Sequence, residues 1–85
     1  MRLRVADGVG VEEAEGIVYA APLPDGPIAV LDGVAGLIWT EACRLPRAEV
    51  AAAVARRTEQ QTAAVRPHVD DFLNQMVGRG LLVES

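Results

Sequence analysis

A change of hydrophobic period at Asp32-Gly33 constrains this chain more than any other feature. Before it, apolar residues come in short runs rich in β-branched side chains and bounded by turn residues. After it, they recur at helical spacing. Strands first and helices afterwards imply an α+β domain rather than an alternating one.

The first third reads as three strands. Leu3 and Val5 alternate with Arg2 and Arg4, and Asp7-Gly8 ends that segment. Gly16 opens Ile17-Val18-Tyr19-Ala20-Ala21, closed by Pro22. A tract of Pro22-Leu23-Pro24-Asp25-Gly26 follows, dense in turn residues, and then Ile28-Ala29-Val30-Leu31. Two short strands joined by such a turn predict a hairpin. The acids Glu12, Glu13 and Glu15 fall between the first two strands and read as a solvated loop, or as a patch that steers a basic partner.

Three helices are predicted beyond Asp32. The first takes Asp32 as N-cap and carries Val34, Leu37, Ile38 and Trp39 toward Cys43. The second runs from Pro46, a good first-turn residue, through alanine-rich sequence to Arg57. The third extends from about Ala63 to Gly78 with Thr62 as its cap. Its residues Val65, Val69, Phe72 and Met76 share one face. Pro67 fits either a helix beginning at Arg66 or one beginning earlier that gives up a hydrogen bond there. Gly78 and Gly80 end the helix, and Leu81-Leu82-Val83 brings apolar residues back to the core.

The chain has 85 residues, 51% of them apolar, which suits one domain spanning residues 1–85. Tyr19, Trp39 and Phe72 are its only aromatics, so the core must be aliphatic. The net charge of −4 disfavours nucleic acid, whose binders carry a basic surplus. The sole cysteine, Cys43, rules out an internal disulfide. Met1 to Val5 has no apolar segment of signal-peptide type. No run approaches the roughly 18 to 20 residues that cross a bilayer. These features predict a soluble cytoplasmic protein.

No catalytic constellation emerges. Cys43 has no assignable base and reads as a small buried hydrophobe. His68, the only histidine, lacks partners for a metal site and reads as a surface residue. Asp70 and Asp71 point about 100° apart on a helix and cannot readily share a proton. Trp39, beside Ile38, reads as core. No cofactor is expected, and the chain is not expected to be an enzyme.

Gly16-Ile17-Val18-Tyr19, Val30-Leu31-Asp32-Gly33-Val34-Ala35 with Ile38-Trp39, and Arg47-Ala48-Glu49-Val50 occur in that order. Val69-Asp70-Asp71-Phe72-Leu73 and Gly80-Leu81-Leu82 complete the series. In this order and spacing the chain resembles the PqqD family. Its members act as peptide chaperones in pyrroloquinoline quinone biosynthesis and as precursor-recognition elements for modified peptides, lasso peptides among them. Arg44-Leu45-Pro46 and His68 depart from the common pattern, where a small-residue turn and an acid are usual.

The resemblance implies a winged-helix-like module with a three-stranded antiparallel sheet followed by three helices. A disordered leader would add a strand along Ile28, Ala29, Val30 and Leu31. Arg66, Asp70, Leu73, Asn74 and Val77 on the third helix would form the facing wall. The implied partners are a precursor leader and a maturation enzyme such as a leader protease, a cyclase or a radical-SAM enzyme. Neither nucleic acid nor membrane is expected, and the chain would be a monomer or weak homodimer. Two other readings are a winged-helix DNA-binding protein, using Arg56, Arg57, Arg66 and His68, and a tethering subunit that takes no peptide.

Overall fold

The computed structural model describes residues 1–85. Strands β1 (Leu3–Val5), β2 (Val9–Ala14), β3 (Ile17–Pro22) and β4 (Ala29–Leu31) come first. Helices α1 (Gly33–Ala42), α2 (Arg47–Thr58) and α3 (Thr62–Gly78) follow, and strand β5 (Leu82–Glu84) ends the chain. The α+β class, the antiparallel three-stranded sheet and the three helices all match expectation. The membership of that sheet does not.

The sheet runs in the order β2-β3-β4, whereas β1 pairs with β5 in a separate two-stranded ribbon. The acidic segment expected as a loop is therefore an edge strand. Its sequence gives no period-two signal because neither of its faces is buried. Pairing with β3 holds it, from Val9 opposite Pro22 to Ala14 opposite Ile17. The two residues between, Glu15 and Gly16, both have positive φ, 53° and 81°. That is the two-residue hairpin turn whose twist suits antiparallel strands. The usual Asn-Gly signature is absent, and Glu-Gly disguises the turn.

The hairpin predicted from the Pro/Asp/Gly tract is present: β3 and β4 pair with Val18 opposite Leu31 and Tyr19 opposite Val30. Val18, Ala20, Ala29 and Leu31 face the core. Helix α1 lies against them, with Ile38, Trp39 and Ala42 buried. Gly36 permits that approach, since a Cβ there would sit 2.8 Å from the Leu31 carbonyl oxygen. Asp32 occupies the N-cap position but its side chain makes no capping bond. The turn into α1 uses Gly33 at φ +56° instead.

Pro46 is the N-cap residue of α2 rather than its first helical residue. Helix α2 buries Val50, Ala51, Ala53, Val54 and Ala55, and the small side chains let it pack closely on its neighbours. It ends at Glu59, in the left-handed region. Helix α3 begins at Thr62 with Gln61 as N-cap, which puts Pro67 inside the helix. The lost bond is to the Ala63 carbonyl; Ala63 and Pro67 are both exposed, so water can serve that oxygen.

Two polar ties hold the helices in place. Glu41, only 2% exposed, accepts from Arg44 at 2.7 Å and lies 3.6 Å from Arg57 on α2. Arg47 donates to Asn74 Oδ1 at 2.8 Å and pairs with Glu84 at 3.3 Å, joining α2, α3 and β5. Leu81 and Leu82 are fully buried beside Leu3, so the returning tail closes the core as expected. Cys43 differs from expectation: it is exposed at the end of α1.

Candidate peptide-binding site

Strand β4 hydrogen-bonds only to β3, so its other edge is free. Along that edge the side chains divide by the pleat. Ala29 and Leu31 are buried, while Ile28 and Val30 are exposed. Ile28 lies just outside the regular strand. An added strand would thus meet the core on one face and the outer surface on the other.

Three residues beyond Leu31, Val34 opens a crevice of about 110 Å³ among the helices. Ile38 of α1, Val54 of α2, and Val65, His68 and Val69 of α3 contribute to its lining. Val34 is exposed there, so the crevice has an apolar lip next to the end of β4. It is concave, largely apolar, and able to take one side chain.

Not every residue expected in the α3 wall is open to a partner. The helix buries Val65, Val69, Leu73 and Met76. Leu73, assigned to the groove, is 0% exposed and belongs to the core. Phe72, assigned to the core, is only half-buried at its margin. Both lie within about 60° of Val69 on a helix, so period alone does not choose between them. Asn74 is taken up by Arg47 of α2, which turns its flank toward α2. Arg66 and Asp70 are exposed, and Val77 packs half-buried against the core; by helical spacing all three share the Asn74 flank. The opposite flank holds His68 and, four residues on, Phe72. Sequence reasoning read His68 as a surface residue, at a position where relatives carry an acid that can touch the leader, but did not pair it with Phe72. That i,i+4 pair was a signal for a second, partly exposed stripe.

Other candidates look less suited to chemistry. Partial burial pushes the Cys43 thiol pKa up, although the residue is exposed; a raised pKa leaves less thiolate. No three His, Cys, Asp or Glu side chains gather where they could hold a metal ion. No helix is long and apolar enough to cross a membrane. Of the basic residues that could have met nucleic acid, Arg57 is directed to Glu41.

The model of a family described as coenzyme PQQ synthesis protein D (PqqD) matches residues 22–82. The chain belongs to the PqqD family. The match takes in β4, all three helices and the start of β5, the elements that frame the free edge and the crevice. The segment Gly16-Ile17-Val18-Tyr19 precedes it. The structural match extends further: the solved structure described as TbiB1 in complex with the TbiA(beta) leader peptide superimposes with a TM-score of 0.85. It is 22% identical, and the alignment covers 96% of each chain. No curated protein gives a significant match.

Proposed function

We propose that this chain is a non-catalytic leader-binding domain that captures a ribosomally made precursor in the cytoplasm and presents it to a maturation enzyme. The observation that carries this reading is the free β4 edge beside an apolar crevice. The TbiB1 structure, a leader-peptide complex with the same fold, supports it. The leader runs along Ile28 to Leu31 as an added strand, with main-chain hydrogen bonds supplying most of the pairing. Its inward side chains reach Val34, Val65 and His68, and one of them fills the crevice. Arg66 and Asp70, on the other flank, contact leader residues only beyond the paired segment.

Nothing in the geometry favours a polyanion instead, because Asp70 and Asp71 stand exposed on α3 and would repel phosphate. A leader protease, a cyclase or a radical-SAM enzyme would receive the peptide.

The test uses a synthetic leader, drawn from short reading frames near the gene, N-methylated one residue at a time. Strand addition predicts loss of binding at every second residue of the paired segment, since alternate N–H groups face β4. Uniform tolerance of N-methylation would overturn the reading. Val34→Glu tests the crevice: anisotropy titrations should show affinity reduced by about tenfold or more, roughly 1.4 kcal/mol, with the thermal midpoint little changed.

A further inference from the structure

The outer face of the sheet, turned away from the helices, is apolar, and the segment that builds it carries acids but no basic residue. Tyr19 stands on it between Glu12 of β2 and Val30 of β4, and Ala21 lies opposite Gly10. Leu23 folds across Gly10, where a Cβ would come within 3.0 Å of the leucine side chain. Leu23 nonetheless stays 64% exposed, Ile28 65% and Val30 58%. Between them lies an open depression of about 360 Å³ lined by Tyr19, Ala21, Leu23 and Ile28 with Glu12 at its rim. A run of exposed apolar side chains on so small a protein marks an interaction surface.

Charge selects the occupant. Residues 9–31 hold Glu12, Glu13, Glu15 and Asp25 and no basic residue, a net of −4. The remaining residues contain eight acids and eight arginines. A second copy docking through this face by two-fold symmetry would bring its carboxylates against their own equivalents. Anionic lipid is repelled for the same reason. We propose that the outer face of the β2-β3-β4 sheet is a docking surface for a second protein, one that offers an apolar patch ringed by arginine or lysine. Resting on the leader-binding reading, it identifies that protein as the maturation enzyme. The face is distinct from the inner crevice, so peptide and enzyme are held on opposite sides of β4. Acids at the rim raise the association rate and set orientation, while the apolar centre supplies affinity.

The experiment titrates the purified enzymes encoded beside this gene against the protein, with and without the synthetic leader. Two variants avoid the leader edge: the double substitution Tyr19→Asp with Leu23→Asp, and the single substitution Glu12→Arg on the same face. Each should weaken enzyme association by about tenfold or more, and leader anisotropy should change by less than about twofold. Wild-type association should weaken as salt rises. Enzyme binding unchanged in both variants overturns the proposal. So does sedimentation showing a wild-type homodimer that the Tyr19/Leu23 variant loses, since the occupant is then a second copy. A protein that binds leader but none of the enzymes overturns the docking face alone. Failure to bind leader, with variant-sensitive enzyme association retained, overturns the leader reading and leaves the docking face standing.

Discussion

Leu73 and Gly36 show how little room single residues have here. Leu73 is fully enclosed on the α3 stripe with Val65, Val69 and Met76. Leu73→Ala removes buried methyl groups and leaves a cavity, which costs about 2–5 kcal/mol in such settings. Urea denaturation should show that loss, while the folded fraction binds leader with unchanged affinity. A specific affinity loss would return Leu73 to the groove. Sequence reasoning missed this residue because an aromatic neighbour, Phe72, competes for the same stripe, and helical period admits both. It placed Trp39 correctly, since no rival on α1 offers comparable apolar area. The exposure of Cys43 was illegible because it depends on where α1 stops.

Between elements, the decisive contact is α1 against β4. Gly36 passes the Leu31 carbonyl so closely that a Cβ would stand 2.8 Å from it, and the atom that must move belongs to the main chain of β4. Gly36→Ala therefore strains the sheet–helix contact; overpacking of this kind costs about 1–3 kcal/mol. It also displaces the edge that would receive the leader. Both the denaturation midpoint and leader affinity should fall, whereas Ala35→Gly, on the less buried side of α1, should lower stability modestly through helix propensity and leave affinity largely intact. Equal affinity in the Gly36→Ala variant would separate the edge from the helix. The hairpin β3-β4 was readable because Pro, Asp and Gly announce the turn. Strand β2 was not, because it buries neither face and turns through Glu15-Gly16. The β1-β5 pairing joins residues nearly a whole chain apart, and no local pattern in Leu3–Val5 specifies that partner.

At the scale of the whole molecule, a domain of 85 residues has a small core and correspondingly marginal stability. Its free edge belongs to a strand of three residues, Ala29–Leu31, held by β3 on one side alone. That strand should open more readily than the helices, and its amides should exchange with solvent earlier. A leader that pairs with β4 supplies the missing neighbour and fills the crevice at Val34, so it binds the folded state and not the unfolded chain. Linkage then adds about 2.7 kcal/mol of stability when free leader stands about 100-fold above its Kd. For a domain of this size that corresponds to a rise of roughly 10–20 °C in Tm. Calorimetry across a leader titration should follow the logarithm of concentration, and hydrogen exchange should show new protection concentrated at Ala29–Leu31. A Tm that rises without protection of β4 would place the leader elsewhere on the fold. The same experiment on the Tyr19→Asp, Leu23→Asp variant should give the same increment, because the proposed leader site is the β4 edge and the inner crevice, not the outer face.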